Sequence, residues 1–345
     1  MDARAGKWLI AASLCIGSLV PARALACWPL ARDIPYDDKR PLITLHGSIT
    51  DRRERQFSTK ALNDVLATLL VSDRNGRPYP FVLYVHGRGN EPSKSFSNTA
   101  CGFVRGHVLE KIEKDDVRVL GINWDSKART DCERPIDRAE AAAPLLEEVV
   151  RRLLQHRREN PKLWSGRPAT LLVHSMGSFV LRKAMENEGD RKNVLEMFDV
   201  RVLTGSDAPV ANHVQWVPAG SSGQTVVVTN SHDGVLDESL DCDDENHVAR
   251  QPRLGMLSSK EKGAERASGI LYLEAEVGDS HRTFTRGGAN QNEAFCGAMA
   301  SLLRGKLPSF DSAMHVDHQA NLLLMRRSNH VARCTAGEPE DRDDD

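Results

Sequence analysis

The stretch Ala169-Thr170-Leu171-Leu172-Val173-His174-Ser175-Met176-Gly177 is the part of this chain whose reading decides the rest. It begins as an apolar run without polar alternation, the pattern of a strand covered on both faces. The run breaks at His174-Ser175, and Phe179, Val180 and Met185 then mark an amphipathic helix, with Gly189 expected as its C-cap. A serine on such a tight turn carries its hydroxyl above the sheet. The helix behind it offers free N–H groups and a favourable dipole to a developing anion. Small residues suit this crowded turn: Gly177 meets that need on one side, and Val173 does not on the other. Serine is also a common helix cap, so the stretch has to be weighed with its neighbours.

Three similar runs surround it: Phe81–Val85, Val117–Ile122 and Val200–Leu203. Two more follow, Thr225–Thr229 and Ile270–Leu273. Between the second and third runs, Leu145, Leu146, Val149, Val150, Leu153 and Leu154 form one helical stripe, with Glu148 placed to pair with Arg152. Strands separated by helices build a doubly wound, mostly parallel α/β sheet with helices on both faces. Ala208–Gln224 leaves little room for a cap domain, so an open site is expected. Leu236–Ser268 is charged and weakly patterned and reads as a long surface excursion.

The first run stops at His86-Gly87-Arg88-Gly89-Asn90. Its glycines permit a sharp turn that can aim a main-chain N–H at a substrate carbonyl. An oxyanion hole would then combine the Met176 N–H with that of Arg88. A glycine-rich turn without chemistry is the plainer alternative. Two such loops, in this order and each at a strand end, favour the chemical reading.

The His86-Gly87 loop, Asn123-Trp124-Asp125-Ser126 and His174-Ser175-Met176-Gly177 together resemble the α/β-hydrolase superfamily. More narrowly, the chain is similar to a family of bacterial esterase- or lipase-like hydrolases that carry HG after one strand, a Trp-Pro-Ser-like segment after the next, and then HSMG. The likeness spans about Pro80–Phe284. It departs at Val173, where Gly or Ala is usual, and at Asp125, which replaces Pro. The resemblance implies the α/β-hydrolase fold and a serine nucleophile; it names no substrate.

A serine nucleophile needs a base and an orienting acid, which follow it in the order Ser, acid, His in this fold. Asp233, in Asn230-Ser231-His232-Asp233-Gly234, is the expected acid; Asp207 is its main competitor and Asp237 a weaker one. His281, after the last expected strand, is the expected base. His232 lies beside the acid, while His315 and His318 fall beyond the last clear strand. Trp124 and Met176 are expected to line the substrate pocket. Asp241, Asp243 and Glu245 alternate as calcium ligands can, but Asn246 stands where a glycine is required and residue 252 is proline, so the run reads as a solvated acidic loop. No metal and no cofactor are expected.

The compartment is read from the N-terminus. Arg4 and Lys7 precede an apolar run from Trp8 to Val20, and Ala24-Leu25-Ala26 provides a cleavage site before Cys27. Residues 1–26 are therefore expected to be a signal peptide, 27–337 the hydrolase domain and 338–345 an acidic disordered tail. Export to the periplasm or the medium follows, with lipid anchoring at Cys27 as the alternative. The cysteines outside the signal are Cys27, Cys101, Cys132, Cys242, Cys296 and Cys334, an even number that suggests disulfides without choosing the pairs. A net charge of −2 gives no case for nucleic acid. The expected activity is hydrolysis of a small-molecule or lipid-like ester through Ser175, His281 and Asp233. An amidase or peptidase, and a non-catalytic exported binding or envelope protein, are the alternatives. Oligomeric state is not legible.

Overall fold

The computed structural model describes residues 62–88, 117–258, 266–275, 281, 293–308, 314–317 and 322–325, apart from 64, 65, 68, 74, 123, 129, 131, 221 and 246–248. The expected signal, Cys27, Gly89, Asn90, His318 and the acidic tail lie outside the described residues. The strands are β1 (Phe81–Val85), β2 (Arg118–Ile122), β3 (Ala169–His174), β4 (Val200–Thr204), β5 (Gln224–Thr229), β6 (Ile270–Ala275), β7 (Met314–Asp317) and β8 (Leu322–Met325). They form one sheet in the order β2-β1-β3-β4-β5-β6-β8-β7, parallel throughout except where β7 runs antiparallel to β8. This is a doubly wound, mostly parallel α/β architecture. The pair β7 and β8 extends the sheet beyond the last strand expected; at four residues each, they are too short for a period to stand out.

The apolar runs are strands because both their faces are covered. Every residue of β1 and β4 is buried. The long helix Ala143–Glu159 lays Leu145, Leu146, Val149, Val150, Leu153 and Leu154 into the same core, and Arg152 Nε donates to Glu148 at 2.9 Å on its outer side. Register then sets the site. Val85 lies beside Val173, and Val173 beside Leu203. The carboxyl ends of β1, β3 and β4 are therefore level, and their following loops open at one edge.

Two local expectations are corrected. The helix after Ser175 spans Gly177–Ala184 and ends before Gly189. Asn187 caps a second helix, Glu188–Met197, its side chain accepting from Gly189 N–H at 2.8 Å. As an N-cap, the Asn187 side chain satisfies first-turn amides of this second helix. The segment after Leu236 is not a surface excursion either. It contains most of the helix Gly234–Glu245 and then a buried stretch in which Arg253 is 1 % exposed and Leu254 fully buried. Asp243, read as part of a solvated loop, is 4 % exposed on that helix. Between β4 and β5 the described residues hold only the short helix His213–Trp216. Among the described residues no helix is long and apolar enough to cross a membrane. Cys132 and Cys242 form a disulfide across 110 residues.

Candidate active site

Ser175 stands at the tip of β3 with φ 53°, a left-handed backbone that costs a residue with a side chain about 1–2 kcal/mol. Hydrogen bonds hold it there, among them one from Ser178 N–H to its carbonyl at 3.0 Å. Its N–H donates to Thr204 O at 3.1 Å; its carbonyl accepts from Ser178 Oγ at 2.7 Å and from Asp207 N–H at 3.4 Å. The crowding expected at this turn falls on glycines. A Cβ at Gly177 would lie 2.7 Å from His86 O, and one at Gly87 would lie 2.6 Å from the Ser175 Cβ. Val173 sits one step back inside β3, buried in the sheet core, and the turn closes with valine in that place. Met176 opens the helix Gly177–Ala184, where main-chain amides have no intrahelical acceptor.

The His86-Gly87-Arg88 loop is held by a clasp with Trp124. Trp124 N–H donates to His86 Nε2 at 3.2 Å, and its indole N–H donates to His86 O at 2.8 Å. The two rings stack with centroids 5.6 Å apart. Since Nε2 accepts, Nδ1 carries the proton, and it donates to Gly87 O at 2.7 Å. The peptide bonds of the described residues are trans, so with Gly87 C=O drawn toward His86 the following N–H, that of Arg88, points the opposite way. The Arg88 guanidinium is fastened to Glu133 O at 3.2 Å. Trp124 is fully buried and cannot line an open pocket. This corrects its expected role: the indole N–H and the ring face are both taken up by His86. The Met176 side chain, 1 % exposed, belongs to the core in the same way.

His281 and Asp233 meet across 48 residues of sequence. His281 Nδ1 lies 2.8 Å from one Asp233 carboxylate oxygen and 3.0 Å from the other. A carboxylate only accepts, so Nδ1 bears the proton and Nε2 is left with its lone pair. The His281 ring rests on Gly205, where a Cβ would come within 3.1 Å of its Cε1. Gly205 directly follows Thr204, the residue whose carbonyl takes the Ser175 N–H. The His281 ring also lies 4.9 Å from that of His174, centroid to centroid. The imidazole therefore sits at the sheet edge that carries Ser175. Asp233 is fully buried, and Leu236 N–H also donates to it at 3.0 Å.

The competing acids lie elsewhere. Asp207 accepts from Arg134 Nε at 3.1 Å and Ser239 Oγ at 2.8 Å, and Arg253 Nε lies 3.1 Å away. Asp237 is exposed and faces Arg250 at 3.9 Å. His232 is exposed, its N–H bonded to Asn230 Oδ1, and His315 is on β7. The cluster of Arg134, Asp207, Asp243 and Arg253 was not foreseen from the sequence. The only hint was that Arg134 and Asp243 stand beside the two bonded cysteines.

No protein-family model matches the chain, and no curated protein matches it. Solved structures similar to it include a predicted CIB-like hydrolase from Thermoplasma acidophilum, 15 % identical over 68 % of this chain and 89 % of that one, with a TM-score of 0.32. XC6422 from Xanthomonas campestris, described as an α/β serine hydrolase without lid, is 15 % identical over 68 % and 85 %, with a TM-score of 0.30. The catalytic core domain of acetyl xylan esterase from Trichoderma reesei is 13 % identical over 64 % and 98 %, with a TM-score of 0.32. At such identity the chemistry has to be read from this chain's own residues.

Proposed function

We propose that the protein is an exported serine hydrolase that cleaves an ester-type acyl bond. The observation that carries this reading is the His281 Nδ1–Asp233 pair beside a left-handed Ser175. Such a backbone strain at a nucleophile position is kept when the surroundings enforce it. In the proposed reaction Ser175 Oγ attacks the carbonyl carbon and passes its proton to His281 Nε2. The Met176 and Arg88 N–H groups hold the resulting oxyanion. The tetrahedral adduct collapses, the alcohol leaves with the proton from Nε2, and an acyl-Ser175 ester remains. Water then attacks with His281 again taking the proton, and the acid is released as Ser175 recovers its hydrogen. Asp233 keeps His281 in the tautomer with Nε2 free and stabilises the imidazolium formed in each half-reaction.

Hydrolysis needs no cofactor, and the substrate class is a small-molecule or lipid-like ester. Export is supported by the N-terminal pattern and by the Cys132–Cys242 disulfide, a bond that persists in oxidising compartments. The test is fluorophosphonate labelling of purified protein beside its Ser175→Ala form, with short p-nitrophenyl esters assayed in parallel. Labelling and turnover that both vanish in the variant are expected. A well-folded wild type that does not label would overturn the reading and leave a non-catalytic binding protein.

A further inference from the structure

Behind the site, three buried charges and the partly buried Arg134 close on one another. Arg134 reaches Asp207 through Nε and Asp243 through Nη1, both at 3.1 Å, and also donates to Asp207 O at 3.1 Å. Arg253 approaches the same two carboxylates, at 3.1 Å to Asp207 and 2.6 Å to Asp243, and donates to Ser239 O at 3.0 Å. The ring has two positive and two negative members. Each carboxylate is shared by both guanidiniums, the arrangement that makes buried charge tolerable.

The ring lies between the two halves of the proposed machinery. On one side, Asp207 N–H bonds to Ser175 O, and the next amide, Ala208 N–H, bonds to Ser178 Oγ, which itself donates to Ser175 O. On the other side, Asp243 and Ser239 belong to the helix Gly234–Glu245, whose first turn is capped by Asp233. The backbone around Arg253 joins the same parts. Leu254 and Gly255 N–H donate to Ala208 and Ser206 at 2.8 Å, and Gly255 O accepts from Asn230 N–H at 2.8 Å, three residues before Asp233. The Cys132–Cys242 disulfide fastens the Arg134 segment to this helix one residue from Asp243.

We propose that Arg253 is a positioning residue of the reaction: through the ring that it closes with Arg134, Asp207 and Asp243, it holds the Ser175 loop in register with the helix that carries Asp233. The inference rests on the proposed roles of Ser175 and Asp233. It deepens that reading, because it ties the catalytic geometry to a charge ring and a disulfide that touch no substrate. Removing Arg253 leaves two carboxylates facing one guanidinium, and the two loops are free to separate at the point where His281 must meet Ser175.

The test compares wild type, Arg253→Met, Arg253→Lys and the Cys132→Ser/Cys242→Ser double variant. Ester kcat and KM, the rate of fluorophosphonate labelling and cooperative thermal unfolding are measured on each. Arg253→Met is expected to lower kcat and the labelling rate together by about 10-fold or more, with KM within about twofold of wild type. Arg253→Lys, which keeps the charge, is expected to recover part of that loss. A folded Arg253→Met protein with wild-type kcat overturns the proposal. If that variant does not fold, the double cysteine variant decides: a fall in kcat of about threefold or more, at unchanged KM, upholds the proposal. Unchanged kcat overturns it. A wild type that neither labels nor turns over ester would overturn the function proposed for Ser175 itself, whereas an active wild type with unaffected variants removes only the role of Arg253.

Discussion

His281 Nδ1 lies 2.8 Å from the carboxylate of Asp233, and that carboxylate also takes the Leu236 N–H at 3.0 Å. The group proposed to orient the base is thus the N-cap of the helix Gly234–Glu245. Its position is fixed by backbone as well as by side chain. Asp233→Asn keeps the shape but offers the imidazole an amide that can impose the wrong tautomer. We expect kcat to fall on the order of 10³–10⁴-fold while the protein remains folded, as read by ester turnover and circular dichroism. A loss below tenfold would sink the role given to Asp233.

In the proposed reaction His86 sets the direction of the Arg88 N–H, because its Nδ1–H holds Gly87 O at 2.7 Å. His86→Phe keeps a ring against Trp124 and removes that hold. The Arg88 N–H then loses its direction, and we expect kcat to drop by roughly 10–100-fold at nearly constant KM. Steady-state kinetics on short esters check this, and an unchanged kcat would remove Arg88 from the oxyanion hole.

Gly255 passes so close to the β4 loop that a Cβ would lie 2.5 Å from Ser206 N and 2.7 Å from Gly205 C. Both neighbours are backbone and cannot swing aside. Gly255→Ala should cost about 1–3 kcal/mol of stability. Calorimetry should show a lower Tm, by about 2–4 °C per kcal/mol in a chain of this size.

His156 is buried and accepts the Trp164 indole N–H at 3.0 Å through Nδ1. Burial holds its pKa below the usual 6.5, despite an opposing pull from Glu159. The unfolded chain therefore binds this proton more readily than the folded one, and stability rises with pH where the two differ. The contribution is fully present above pH 6.5 and is lost as pH falls from there through the lowered value. We expect the Tm advantage of wild type over His156→Asn to shrink between pH 7.5 and pH 5. An advantage that does not change with pH would contradict the burial effect.

The strand ends that carry the candidate residues were legible before any coordinates. Ser175, His281 and Asp233 were singled out from their order along the chain and from the ends of apolar runs, since a doubly wound sheet brings those ends to one edge. Trp124 was misjudged for a physical reason. An aromatic after a strand can face a pocket or a neighbouring loop equally well, and only the contact with His86 shows which. Val173 looked like an obstacle to the turn, yet the close contacts are at Gly177 and Gly87.

By itself the sequence determined the parallel sheet, the helix Ala143–Glu159 and the strand-end placing of Ser175, because apolar periodicity and turn chemistry are local properties. Only the tertiary structure distinguishes the surroundings of Asp207 from those of Asp233. Both are aspartates in loops after strands, and the choice depends on what each carboxylate meets: two guanidiniums for one, an imidazole for the other. The same holds for Arg134, Asp243 and Arg253. Spread over more than a hundred residues, they share no local signal, and their mutual neutralisation exists only once the Cys132 and Cys242 segments lie side by side. Charge pairing over such a separation is a property of the fold, and no local pattern carries it.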